Sequence, residues 1–162
     1  QAKRIVFGVL YGMGIRALAA QLNESADRVT HIHNLFRQAF PQIERYQQRV
    51  IAMCRQNGFV RTISNRVRLL PDINHPSDFG KRSLAERQAF NTVIQGSAAD
   101  IVKKSMIAVF HNVLCCGDLV KQNGPVRMVA QIHDELVFSV PVNMVDRVVP
   151  RIVHAMANCM AL

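Results

Sequence analysis

Between residues 127 and 140 the chain spells two short strand-like runs, RMVAQI and ELVFSV, with only His133 and Asp134 at their join. Two such runs, two residues apart, leave little alternative to an antiparallel hairpin. That constraint sets His133, Asp134 and Glu135 in a tight turn between apolar residues. Burying an unpaired carboxylate is expensive, so two adjacent acids here need water, a turn or a cation. The hairpin supplies the turn and carries both acids outward. Two readings stay open from the residues alone. One is an ordinary hydrated turn, for which Asp is a common choice. The other is a hard-oxygen site for Mg²⁺, which usually keeps substrate phosphates as partners. A His before the Asp and a Glu after it are poor turn residues and speak for the second.

Upstream the period is helical. Ile5, Val9 and Leu10 form a stripe that Gly12 and Gly14 end, predicting a helix from residue 1 to about 12. Ser25 is placed to cap a second helix with Val29, Ile32, Leu35 and Phe36 on one face. Pro41 resets the chain, and a third helix turns Ile43, Tyr46, Val50 and Cys54 inward until Asn57 and Gly58 stop it. FVRT and RVRLL then read as a hairpin around Ser64 and Asn65, and residues 71–80 as a loop. Ser83 and Glu86 have capping-box spacing and open a long helix to about Cys115, with Phe90, Val93, Ile94, Ile101 and Val113 on its apolar side. Asn123, Gly124 and Pro125 predict a turn. Residues 142–162 predict a last helix on Val145, Val149, Ile152 and Met156, kinked or interrupted by Pro150. Helices first, then hairpins and helices sharing a small antiparallel sheet, is an α+β order.

The 162 residues suit one ordinary domain, and 49% hydrophobic content supports a core. A net charge of +9 suits a polyanionic partner such as nucleic acid, or less often an anionic membrane surface, and charge alone leaves a merely solvated basic surface equally open. No apolar run reaches the roughly 18 residues of a membrane span, and no signal-peptide layout opens the chain. Cys54, Cys115, Cys116 and Cys159 form no C-x-x-C pair, so buried thiols in a reducing, intracellular compartment are expected. His31 and His33 fall on different sides of a helix with no acid or cysteine at ligand spacing, which argues against zinc. Both ends fall inside apolar-periodic segments, so a piece of a larger protein is expected.

Two further constellations carry chemistry. Lys3, Phe7 and Tyr11 recur at i, i+4 and i+8 on one helix face. They are either a Lys beside two core aromatics or a nucleotide contact, with ammonium to phosphate and rings to sugar and base. Arg87, Asn91 and Gln95 repeat that spacing on the long helix. They are either a solvated polar face or a reader of the minor groove, whose acceptors are much alike for every base pair. The Gly96-Ser97-Ala98-Ala99 patch beside them permits close approach.

The run QIHDELVFSVP resembles the palm hairpin of family A DNA polymerases. Two other motifs follow in the family's order: KRIVFGVLYGMG resembles its fingers helix, and RQAFNTVIQGSAAD its long palm helix. The GMG after Tyr11, rather than GMS, looks most like the theta and nu types. Phage-type RNA polymerases share parts of the pattern but resemble HDS, not HDE, at the hairpin.

The resemblance implies helical fingers over 1–57 and a palm portion over 58–162, with thumb and first palm strand absent. It implies template-directed DNA polymerisation of repair or translesion type, by two-Mg²⁺ nucleotidyl transfer from a dNTP to a primer 3′-hydroxyl. Asp134 would be a metal ligand with Glu135 a lesser acid nearby, Lys3 would serve the triphosphate and the leaving pyrophosphate, and Phe7 would pack on the incoming nucleotide. Tyr11 would stack near the template base, His133 would touch the primer end, and Arg87, Asn91 and Gln95 would bind the primer–template. A Phe at position 7 implies discrimination against dideoxynucleotides. The nucleus is expected before the mitochondrion.

There are departures. Nothing matches the DYSQIELR-like strand that carries the family's other metal-binding Asp, and the Arg one turn before Lys3 would precede Gln1. Val6 replaces a common polar residue, and SNRVR stands where relatives often have GRRR. With one of two metal-bridging acids, the fragment alone is expected to be inactive and its parent active. A non-enzymatic basic DNA-binding module and a relative of phage-type RNA polymerases are the alternatives.

Overall fold

The structure, a computed structural model, describes residues 2–115 and 126–161, and for residues 2–4 the backbone alone. Gln1, Cys116, the turn expected at 123–125 and the Lys3 side chain lie outside that description. The elements confirm an α+β chain. They are α1 (Ala2–Leu10), α2 (Ile15–Leu22), α3 (Ala26–Ala39), α4 (Pro41–Asn57), β1 (Phe59–Arg61), β2 (Val67–Leu69), α5 (Phe79–Asn91), α6 (Ser97–Val109), β3 (Arg127–Ile132), β4 (Glu135–Ser139) and α7 (Val145–Ala157). Among the described residues the strands form two sheets where one was expected: β1 pairs with β2 and β3 with β4, both antiparallel.

Two compact units divide at Gln95 and Gly96. In the first, α1 closes where Gly12 takes φ +70°, a conformation glycine reaches without strain. The short helix α2 follows and was not anticipated. Eight residues hold no stable helix alone. It persists because Leu18, Ala19 and Leu22 pack with Val29 of α3 under Ile5 and Val9 of α1. Leu18 is 1% exposed, and a Cβ on Gly8 would lie 2.6 Å from its Cδ1, so the site is tightly filled. Leu18→Ala should therefore cost about 3 kcal/mol, read as a lower denaturation midpoint. A loss under about 1 kcal/mol would mean the helices simply close over the gap.

Helix α4 begins at Pro41 and ends at Gly58, φ +76°, which folds β1 back so that Val50, Cys54, Val60, Leu70, Ile73, Ala85 and Ala89 form one core. On α3 only Val29 is buried, and Leu35 is 51% exposed. The loop expected over 71–80 contains a 3-10 turn, Pro71–Asn74.

Helix α5 starts earlier than the capping-box pattern indicates. Asp78 is its cap and accepts from the Lys81 N–H at 3.0 Å. Ser83 and Glu86 find other partners: Ser83 Oγ accepts from Arg87 Nη1 at 3.1 Å, and Glu86 pairs with Arg55 of α4. The Lys81 N–H holds the Asp78 carboxyl below the usual carboxylate range. A depressed folded-state pKa means stability present at neutral pH and lost as pH falls through that range. Asp78→Ala should thus lower the melting temperature at pH 7, and the difference should vanish in acid. A difference independent of pH would assign the loss to something other than the carboxylate.

In the second unit, Val109, Val113, Val126, Met144, Val148, Ile152 and Ala155 form the core. The inward stripe of α7 is therefore Val148, Ile152 and Ala155, not Val145 and Val149, which are 39% and 46% exposed. Pro150 lies inside α7 without interrupting it. The run expected as one long helix contains two π turns, Thr92–Gly96 and Phe110–Leu114. Cys115 is exposed rather than buried; Cys54 is buried. No helix among the described residues is long and apolar enough to cross a membrane.

Candidate functional site

In the first unit, the candidate residues gather around α1 and α5. Phe7 and Tyr11 stack with ring centroids 5.8 Å apart and planes inclined 19°. Phe7 is 41% exposed, so it is not a core aromatic. Tyr11 lies just past the helix end, its N–H donating to the Phe7 carbonyl at 2.9 Å. A cavity of about 340 Å³ beside it is lined by Tyr11, Leu10, Ile43, Tyr46, Phe90 and Ile94.

Gly12 joins these rings to α5. A Cβ at this position would lie 3.2 Å from Arg87 Cγ and 3.5 Å from Cδ. The Arg87 stem thus lies against a backbone bare of side chain, while Ser83 holds its guanidinium. One turn on, the buried Asn91 Oδ1 has no hydrogen-bond partner among the described residues. Such an acceptor costs free energy until a donor arrives.

Gln95 lies in the π turn Thr92–Gly96. In an uninterrupted α-helix, residues four and eight positions on drift about 40° and 80° round the axis. A wider turn swings Gln95 back toward the line of Arg87. The i, i+4, i+8 pattern located these residues but could not show that correction. Nor did the sequence reading find Gly12 and Ser83 as neighbours of Arg87. The glycine beside Tyr11 was the available signal.

The second unit holds the acids on the β3–β4 hairpin. Its turn is His133 and Asp134 alone; Glu135 is the first residue of β4, opposite Ile132. The three residues expected to share the turn therefore divide, two in the turn and one on the strand. His133 is not out of place there: it takes φ +55°, where His is among the few non-glycine residues enriched. Gln131 Nε2 donates to the His133 carbonyl at 3.0 Å. Asp134 and Glu135 are exposed, and neither joins an ion pair among the described residues. These are hard oxygen donors that suit a divalent cation. They supply only part of a coordination sphere: no three His, Cys, Asp or Glu cluster for a metal among the described residues.

The sequence profile described as DNA polymerase family A matches residues 1–162. The chain belongs to that family. DNA polymerase theta of Drosophila melanogaster is 39% identical over 166 residues, covering 99% of this chain and 8% of its own length. DNA polymerase I of Bacillus caldotenax is 36% identical over 162 residues, covering all of this chain and 18% of its own. This family A chain thus spans less than a fifth of either relative. Among solved structures, the polymerase domain of Pol1 from M. smegmatis, in complex with DNA primer-template and dNTP, matches with a TM-score of 0.88 and 31% identity. That match covers 99% of this chain and 27% of the other. Family A polymerases use divalent metal ions, and the carboxylates of the hairpin have the chemistry for one.

Proposed function

We propose that this chain is the fingers and part of the palm of a template-directed DNA polymerase that joins a dNTP to a primer 3′-hydroxyl. The observation that carries the reading is Asp134, an exposed carboxylate fixed at a two-residue turn and free of any ion pair among the described residues. Asp134, with Glu135 as a lesser acid, would hold divalent metal. Two divalent ions held there would supply Lewis acidity to lower the pKa of the 3′-hydroxyl and positive charge to offset the triphosphate.

The rest belongs to this chain's own side chains. As the 3′-oxygen, its proton passed to water, bonds to the α-phosphorus, the bond to pyrophosphate breaks, and the Lys3 ammonium neutralises and can protonate the departing group. Phe7 packs on the sugar of the incoming nucleotide and excludes water there. Tyr11, stacked on Phe7, meets the template base. Arg87 and Gln95 donate to minor-groove acceptors present on every pair, and Asn91, one turn from Arg87 on the same helix, completes the polar set that binds the primer–template. His133 meets the primer end. The repair or translesion type, and a nuclear location in a reducing compartment, complete the proposal; the theta-like GMG after Tyr11 and the absence of C-x-x-C support them.

Primer extension by the purified full-length parent tests this. Templated incorporation of dNTPs is expected, together with insertion opposite an abasic site, where no base directs the choice. Binding without extension would indicate a DNA-binding module, and a preference for rNTPs a relative of the phage RNA polymerases. Within that assay, Arg87→Ala or Gln95→Ala should slow extension from matched ends about tenfold and from mismatched ends less, because a distorted groove makes fewer of these contacts. Equal slowing at both ends would rule out groove reading.

A further inference from the structure

The first unit carries a second concavity that holds none of the metal, nucleotide or DNA residues assigned above and shares only Tyr46 with the cavity beside Tyr11. It has a volume of about 510 Å³ and lies between α4 and β1. Its make-up follows from local periodicity. Tyr46, Arg49, Val50 and Met53 fall on one face of α4, at i, i+3, i+4 and i+7. Gly58 then reverses the chain, and the strand sends Val60 to the core and Phe59 and Arg61 together to the other side. Each arginine lies over a ring: Arg49 at 5.2 Å from the Tyr46 centroid and Arg61 at 5.1 Å from that of Phe59. A guanidinium fixed on a ring keeps its outer plane for stacking, and although Arg61 Nη1 donates to the Asn65 carbonyl at 3.3 Å, its other N–H groups and the Arg49 edge remain for phosphate oxygens. Val50 and Val60 are buried beneath, and Met53, 57% exposed, presents an open apolar wall. Two cations and no acid line the cavity. Charge complementarity therefore selects an anion, and the paired flat surfaces select one attached to a ring.

We propose that this cavity binds a nucleobase together with its 5′-phosphate, the base against Met53 and the aromatic–arginine pairs and the phosphate on Arg49 and Arg61. A free nucleotide and an unpaired stretch of nucleic acid strand offer the same chemistry. The site does not depend on the polymerase assignment.

Photo-crosslinking of the full-length protein tests it, with 5-iodo-dUMP in one arm and a 5′-phosphorylated oligo-dT carrying one 5-iodo-dU in the other. Mass spectrometry should find label on Tyr46 or Phe59. Labelling by the strand alone identifies an unpaired segment as the occupant, labelling by the mononucleotide alone a free nucleotide, and either supports the site. Arg49→Gln with Arg61→Gln, both exposed and outside the core, should lower that label about tenfold or more at an unchanged melting temperature. No label at either ring, or label indifferent to the two substitutions, overturns the proposal. So does capture of a Glu-rich peptide on this face without nucleotide labelling.

Discussion

Asp134→Asn in the full-length parent is expected to abolish primer extension while leaving primer–template affinity nearly unchanged. Asn has the size of Asp but lacks the charge that a divalent cation needs, and the turn that carries it is fixed by its neighbours. The Gln131 amide holds the His133 carbonyl, and the β3–β4 ladder holds both strand ends. The substitution should thus remove charge without moving the hairpin. Metal-held charge stabilises such a transition state by several kcal/mol, so the loss should be about 1000-fold or more in rate. Duplex affinity rests mainly on Lys and Arg contacts to phosphates and should hold. A parallel fall in both would make Asp134 a structural residue; unchanged extension would remove it from the metal assignment. Glu135→Gln, one step along the strand, should cost much less.

Gly12→Ala is expected to slow extension about tenfold and to lower stability by about 1–2 kcal/mol. The stability loss comes from φ +70°, where an L side chain is strained. The loss of rate comes from elsewhere. The new Cβ would lie 3.2 Å from Arg87 Cγ, tighter than ordinary contact, and would push the Arg87 stem off the position that Ser83 holds. Comparing Gly12→Ala alone with Gly12→Ala in an Arg87→Ala background separates the two effects. If Gly12 acts through Arg87, the rate loss should not repeat in the double variant, while the stability loss should. Fully additive rate losses would show that Gly12 acts directly, through the neighbouring Tyr11.

The features legible in advance are those that adjacent residues decide. The β3–β4 hairpin follows from two apolar runs separated by two residues. The stop of α4 follows from Gly58, and the first hairpin from the change of period after it. That Phe7 and Tyr11 share one face follows from their i, i+4 spacing, whereas their stacking shows only in the fold. Side-chain competition defeated other readings. Ser83 and Glu86 had the spacing of a cap, but Arg87 and Arg55 drew them away and left Asp78 to do the capping.

The order of residues along the chain settles the elements whose ends and periods are local, and the residue types at the site. It fixed where the acids, the rings and the polar helix face fall along the chain. Only tertiary structure decided which valines of α7 turn inward, that α2 is held at all, that two π turns interrupt the long helical run, and that Gly12 makes room for Arg87. The reason is one of range. Helix caps, turns and strand alternation depend on neighbours a few residues away, whereas packing, register correction and shared hydrogen bonds depend on residues dozens of positions apart that only the folded chain brings together.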